Sequence, residues 1–583
     1  VTQSSNNDFK HPRIGVFWDI STAATQPEAR IGKEGLWHSP SGSDWVWAEG
    51  YIANRSELLE RLGQKEISDD RELVYGLYRR LGIEASRSIA GTLSWALWDS
   101  QNQTLVFASD RIGNHSFYYT AVGGRFWISN QLETLLEIPE LPRSPNPHSI
   151  VAHLTGCAPL AGETFYESIH ELEPAGWMRL QGGALKTGRY WQLQPQPLLR
   201  LASDEEYAQA LRELLFRVIA QHAPPGRAAI TLSSGLDSTS VAAAICQAAP
   251  QTSLTALCWA APELPEADES SYSIEVCRYL DIPWTLIQAD QIWPMKSDAG
   301  IQSTAATPFY GYYSELIDET LRTARHQGTR VVFSGMSGDH LFGGNVFAYP
   351  DLFLTGRWLE LARQIRYHLP RSTMKRSFTQ IVRRMILSPL REAYLPGWRI
   401  DSTPPIPWLR PPYDVLYREH FVQPQQVHRM LPGRLARFRL LSHPLLPYYV
   451  REMNRRAEYQ CVEFRHPLLD HRLIEFAASL PTTQTFRASQ RKIIVRNAMR
   501  GLLPPSVLEM WDKIVPGAIC HRGLREHEQA KVWRLMTNMR AAEMGFVDEL
   551  KLRQAYQDYL DGKTEATSFW YTLTLEDWLR RWF

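Results

Sequence analysis

Thr231-Leu-Ser-Ser-Gly-Leu-Asp-Ser238 decides how this chain is read. It follows an apolar run, Ala228-Ala-Ile-Thr-Leu232, and precedes a helical pattern from Ser238 to Ala249. A buried strand therefore passes through a Ser/Gly turn into the start of a helix. Such a junction offers unpaired backbone N–H groups and the positive end of a dipole, which suits anions. Gly235 lets the backbone come close to a phosphate, and Ser233, Ser234 and Ser238 add hydroxyl donors. Asp237 is the odd member, because a carboxylate repels phosphates unless a divalent cation lies between them. The pattern predicts binding of ATP with Mg²⁺, at a site that splits the nucleotide into AMP and pyrophosphate. An ordinary strand-to-helix turn capped by serine is the competing reading, and the rest of the chain weighs against it.

A chain of 583 residues exceeds one usual domain. Its hydrophobic content of 44% and charged content of 21% are those of a globular protein. Lys+Arg 63 against Asp+Glu 62 leaves no overall charge that would call for nucleic acid or an anionic membrane. No apolar run approaches the ~18 residues of a membrane span, and residues 1–13 lack a signal-peptide core. Six scattered cysteines, Cys157, Cys246, Cys258, Cys277, Cys461 and Cys520, suit reduced core thiols in a cytoplasmic protein.

Residues 1–195 read as short strands and turns with two helices. Strands are expected at Ile14–Trp18, Thr92–Trp98, Thr104–Ala108, Ser116–Thr120 and Arg125–Ser129, and helices at Arg55–Leu62 and Asp70–Leu81. Antiparallel strands with few helices imply a layered α+β domain. Residues 196–583 have a different grammar. An amphipathic helix at Glu205–Gln221 precedes the strand at 228–232, and further strands are expected at Ser253–Trp259, Pro283–Ile287 and Thr329–Ser334. Helices at Glu269–Leu280 and 314–327 fall between them. This alternation predicts an α/β parallel sheet with ligands beyond the carboxyl ends of its strands. Beyond 350 the chain reads as a helical extension broken by a Pro-rich loop around Ser402–Pro412, and Gln192–Pro197 reads as the linker between the halves.

A second loop, Ser334-Gly-Met-Ser-Gly-Asp-His-Leu-Phe-Gly-Gly344, closes the fourth of these strands. It repeats the theme of Gly, Ser and one Asp, so Asp237 and Asp339 together are expected to hold one Mg²⁺ on pyrophosphate. With both loops in hand the chain resembles the asparagine synthetase family nearly end to end. The two loops are similar to that family's S-G-G-x-D-S and S-G-x-G-x-D-E-L-F-G-G elements. Ala267-Asp-Glu-Ser270 resembles its acidic segment, and Val462-Glu-Phe-Arg-His-Pro-Leu-Leu-Asp470 its G-x-E-x-R-x-P-x-L-D element. Arg491–Arg496 and Trp511–Gly517 resemble its two lysine-bearing segments. Gly50–Leu58 and Asp110–Tyr119 resemble its N-terminal glutaminase-type domain. The resemblance implies an Ntn-type glutaminase-like domain followed by an ATP-pyrophosphatase domain.

It also assigns roles. Ser233, Ser234, Gly235 and Ser238 would cradle phosphates, with Ser334 and Gly335 facing the AMP side. Lys513 would stabilise the acyl-transfer transition state, and Lys492 would meet pyrophosphate or the α-phosphate. A solvated surface lysine is the competing reading for Lys492. Cys258 aligns with an adenine-pocket position and equally suits a core thiol, and Glu463 with Arg465 suits a structural ion pair.

Three departures shape the functional expectation. The family's glutaminase nucleophile is an N-terminal Cys four residues before the glycine of the first strand; here that glycine is Gly15 and the matching residue is the internal His11. The family's Asn-Gly pair is Glu49-Gly50, so the first domain is not expected to make ammonia. Met336 stands where the family has Glu and the related β-lactam synthetases have Tyr, and a thioether cannot move a proton. The acceptor is then an amine already on the substrate, as in the β-lactam synthetases and the lasso-peptide cyclases. The length of the chain and its helical segment at 350–450 favour a peptide. The expectation is ATP-dependent macrolactam formation in a precursor peptide, with a leader-binding protein and a leader peptidase as partners and no part for nucleic acid. A small-molecule amide or β-lactam synthetase and a non-catalytic scaffold are the alternatives. Between Arg357 and Arg399 ten Lys/Arg face only Asp351, Glu360 and Glu392, which suits either a solvated helical face or a docking face.

Overall fold

The computed structural model describes residues 14–19, 28–31, 35–297, 301, 303–368, 380, 382–395, 406–421, 430–511 and 514–583. His11 and Lys513, both singled out above, lie outside the described residues, as do 401–405 of the Pro-rich loop.

Among the described residues, the first half has the strands β1 (Ile14–Asp19), β2 (Glu28–Ile31), β3 (Trp37–His38), β4 (Trp45–Glu49), β5 (Ser94–Asp99), β6 (Thr104–Ala108), β7 (Tyr118–Val122), β8 (Arg125–Ser129), β9 (His170–Glu171), β10 (Gly176–Gln181) and β11 (Ala184–Arg189). They form two antiparallel sheets in the orders β2-β1-β8-β7-β9 and β11-β10-β6-β5-β4-β3. One core of Val16, Trp47, Ala96, Trp98, Phe107, Phe117 and Ile128 joins residues of both sheets. The alternate residues of the second sheet, Val46, Trp95, Leu97 and Val106, meet Leu73 and Leu77 of the helix Asp70–Leu81. Both faces of β5 are thus covered, which is why its sequence is a continuous apolar run rather than an alternation. The short hairpin β10–β11 escapes a pattern-based reading because β11 is almost wholly exposed. Its turn residues Gly182 and Gly183 both have positive φ, as a two-residue hairpin requires.

The second half carries a parallel sheet of β12 (Gly226–Leu232), β13 (Thr252–Ala260), β14 (Trp284–Gln288), β15 (Val331–Phe333) and β16 (Glu463–Arg465), in the order β14-β13-β12-β15-β16. After β14 the chain crosses to the far side of β12, so the loops leaving β12 and β15 lie side by side at the carboxyl edge. Such a switch point is where open parallel sheets bind ligands. The helix Leu236–Ala248 is Ala-rich because it is enclosed: Val241 to Ile245 are fully buried among β12, β13 and neighbouring helices. Four of these strands follow the expected pattern. The fifth, β16, is a three-residue strand far along the chain that no local periodicity announces.

The two halves share packing. Phe165, Tyr166, Ile150 and Leu154 enter one core with Tyr556, Phe569, Trp570 and Trp578 of the C-terminal helices. The expected linker is laid down rather than free: Leu193 is buried, and Trp191 Nε1 donates to Glu475 Oε1 at 3.0 Å. Among the described residues no helix is long and apolar enough to cross a membrane.

Candidate active site

The loop after β12 is held by its own serines. Ser233 N donates to Ser238 Oγ at 3.1 Å, and the two hydroxyls lie 2.9 Å apart. Gly235 is the N-cap of the helix that begins at Leu236, so the positive end of that helix is turned toward the loop. Ser234 behaves differently from the expectation of a phosphate donor. Its amide and its hydroxyl both donate to Glu269 Oε2, at 2.9 and 2.8 Å, and the residue is 1% exposed. Glu269, from the acidic segment Ala267–Ser270, therefore sets the loop's shape from behind and takes up both Ser234 donors.

The loop after β15 presses directly on the first. A Cβ at Gly335 would stand 2.3 Å from Ser238 N, and one at Gly338 would stand 2.1 Å from the Asp237 carboxyl carbon and Oδ1. Only hydrogen fits at either place. Ser337 takes a left-handed conformation (φ 72°) to turn the chain into the short helix Gly338–Phe342, which starts one residue before Asp339. Behind this loop runs a buried relay. Ser334 Oγ lies 2.6 Å from His466 Nδ1, His466 Nε2 lies 3.2 Å from Asn454 Oδ1, and Asn454 Nδ2 donates to Asn114 Oδ1 in the first half. Burial holds the His466 pKa down to about 3, so the ring is neutral. With Asn454 Oδ1 accepting from Nε2–H, Nδ1 accepts the Ser334 hydroxyl. His466 and Asn454 are site-supporting residues that the sequence reading passed over.

Lys492 joins the two loops. Its ammonium lies 2.7 Å from Asp237 Oδ2 and 2.7 Å from Asp339 Oδ1. The residue is 8% exposed and sits at a left-handed φ of 57° between the hairpin ending at Arg491 and the helix Ile493–Ala498. It is not a solvated surface lysine. Two carboxylates from two strand-end loops converging on one cation form a donor set of hard oxygens, which fits Mg²⁺. Asp237 and Asp339 are the residues that would hold such an ion, and the Lys492 ammonium bridges them.

Other expected residues are placed as follows. Cys258 is fully buried, its thiol in a hydrogen bond with the free thiol of Cys277, so its side chain belongs to the core; this contact and burial raise its pKa. Glu463 and Arg465 form a bidentate pair at 2.8 and 3.1 Å, with the guanidinium 3.8 Å above the Tyr51 ring. Met336 packs beside Leu446, Val450 and Leu469. On the same helix, Leu445–Tyr459, burial raises the Glu452 pKa to about 8, although Arg451 lies beside it and Arg455 Nη1 is 2.8 Å from its Oε1.

In the first half, Glu49 is 8% exposed and accepts from Asn130 Nδ2 at 3.1 Å. His115 Nδ1 lies 3.8 Å from Glu49 Oε2 and 3.4 Å from Glu458 Oε1. Burial opposes the charge on His115, but Glu49 and Glu458 outweigh it and hold the pKa up at about 10. An imidazolium bridging two carboxylates lies beside Gly50, where an added Cβ would stand 3.2 Å from His115 Cδ2.

The asparagine synthase family model matches residues 210–580, and the glutamine amidotransferase domain model matches residues 4–191. Amidase chry2 of Gibberella zeae is 24% identical over 614 residues, covering 95% of this chain and 86% of that protein. Amidase chyE of Penicillium rubens is 23% identical, covering 92% and 85%. Asparagine synthetase [glutamine-hydrolyzing] 3 of Bacillus subtilis is 24% identical over 192 residues, 32% of this chain and 31% of that one.

Proposed function

Because the chain belongs to the asparagine synthase family and is an ATP-dependent amide-forming ligase of that type, we propose that it closes a macrolactam ring in a precursor peptide. An Asp or Glu side-chain carboxylate of the peptide attacks the α-phosphorus of ATP and expels pyrophosphate. The peptide's α-amine then attacks the acyl-adenylate and expels AMP. The observation that carries the reading is the meeting of Asp237 and Asp339 at Lys492. Asp237 and Asp339 would hold Mg²⁺, which when bound neutralises pyrophosphate as it leaves. Lys492, released from the pair, turns to the phosphates, and the N-terminal end of the helix Leu236–Ala248 with Ser233 Oγ receives their oxygens. Lys513 is assigned the developing oxyanion. Ser334 and Gly335 face the nucleotide, with His466 and Asn454 as positioning residues.

An amine nucleophile must lose a proton. Met336, a thioether, cannot take it. The bridge through His115 supports a first domain that makes no ammonia, so that the substrate supplies its own amine. A leader-binding protein and a leader peptidase complete the proposed pathway. Two near-full-length relatives are named amidases, and a small-molecule amide or β-lactam synthetase is the second reading.

The test is mass spectrometry of candidate precursor peptides with ATP and Mg²⁺. The expected product weighs one water less than the linear peptide and appears with AMP and pyrophosphate. ADP formation would overturn the chemistry, and turnover of small amino acids alone would favour the second reading. Asp237→Asn or Asp339→Asn should abolish pyrophosphate release with the fold intact.

A further inference from the structure

The whole-chain balance of 63 cations and 62 anions conceals a local surface of another kind. Phe353, Leu354, Trp358 and Leu359 stand at the corner between the helices Ala348–Leu354 and Trp358–His368. Their exposures are 44, 47, 65 and 80%. Side chains exposed to this degree project from the surface rather than line a groove. Phe353 and Trp358 stack with centroids 6.4 Å apart, and Trp358 Nε1 donates to the Phe353 carbonyl at 3.1 Å, so the corner is a preformed apolar tip.

The helix behind the tip is amphipathic. Leu361 and Gln364 are buried, with Ile365 packed against the same small core as Tyr349, Leu352 and Ile386. Leu359, Ala362, Arg363 and Arg366 line the opposite, exposed face at helical spacing. Glu360 is paired to Arg357, while Arg363 and Arg366 have no carboxylate partner among the described residues. The apolar face of this helix is spent on the protein core, so what can enter a lipid headgroup layer is the projecting tip of Phe353, Leu354, Trp358 and Leu359, with the arginines on its flank placed for the anionic headgroups.

We propose that this corner docks the protein peripherally on an anionic phospholipid bilayer, with Trp358 and Leu359 inserted and Arg363 and Arg366 on the lipid phosphates. An acidic peptide would satisfy the arginines but would leave the projecting tip in water, so the bilayer is the occupant favoured. The inference stands apart from the proposed reaction, because none of these residues belongs to the nucleotide site.

The experiment is co-flotation of the full chain with vesicles of phosphatidylcholine, and with vesicles of equal parts phosphatidylcholine and phosphatidylglycerol. Binding is expected to the mixed vesicles and to weaken with salt. Trp358→Asp with Leu359→Asp should lower it at least ~10-fold, and Arg363→Gln with Arg366→Gln roughly fivefold per arginine. Pyrophosphate release and melting temperature should be unchanged in both pairs, which keeps a folding defect distinguishable. Failure of the wild type to float with the mixed vesicles overturns the proposal, as does binding indifferent to both pairs. Binding of a glutamate-rich peptide by the same arginines without vesicle binding also overturns it, in favour of a peptide partner.

Discussion

Gly338→Ala tests the contact between the two loops. The added methyl group would stand 2.1 Å from the carboxyl carbon and Oδ1 of Asp237 and 2.6 Å from its Cβ. Carbon atoms pack comfortably at about 3.5–4.0 Å, so the carboxylate or the loop has to retreat by more than ~1 Å. The carboxylate is not free to swing, because Lys492 holds its Oδ2 at 2.7 Å. Displacement therefore disturbs the cation site itself. Overpacking of this size costs ~1–3 kcal/mol, less than the ~5–15 kcal/mol that keeps a domain folded. A ~1 Å misplacement in an active site costs roughly 10²-fold in rate. The expected result is a folded protein whose melting temperature falls by a few degrees and whose pyrophosphate release falls about 100-fold, recovering partly at high Mg²⁺. Gly335→Ala meets backbone atoms at 2.3 and 2.6 Å, which give less readily, and should be at least as inactive. Pyrophosphate release by Gly338→Ala at the wild-type rate and ordinary Mg²⁺ would refute the placement of Asp237 at the reacting phosphates.

Lys492→Ala should lower turnover by roughly 10²-fold, the scale for one lost charge stabiliser. Added Mg²⁺ should also raise its melting temperature more than the wild type's, because the ion no longer competes with an ammonium; equal shifts would count against a shared site. Glu269→Ala leaves the Ser234 donors buried without an acceptor, so a loss of ~1–3 kcal/mol in denaturant titration and a raised KM for ATP are expected. Burial holds His153 and His466 down to about 3, so below about pH 6.5 the unfolded chain takes up protons that the native one refuses. The contribution of these two histidines is then full above about pH 6.5 and falls toward pH 3 by up to ~1.4 kcal/mol per pH unit for each. A melting temperature flat between about pH 7 and pH 5 would contradict this.

The first loop, the second loop and the parallel sheet were legible in the sequence because each is written locally. An apolar run followed by small residues and a helical pattern can only be a strand-turn-helix junction, whatever the rest of the chain does. The two aspartates were legible as partners because each breaks the chemistry of its own loop in the same way. Glu269 was legible only as part of an acidic segment; that its carboxylate turns inward to take both Ser234 donors follows from β12 and β13 lying side by side. Lys492 read as well for a surface residue, because nothing within Arg491–Arg496 states that a hairpin will bring its ammonium to two strands' ends. The strand β16, the line from Ser334 through His466 and Asn454 to Asn114, and the core shared by Trp570 and Trp578 with the first half all join residues far apart in the chain. Periodicity and turn chemistry act over a few residues and decide which elements form. Which side chains then meet, which donors are used up and which charges neutralise one another is decided by packing, and that belongs to the tertiary structure alone.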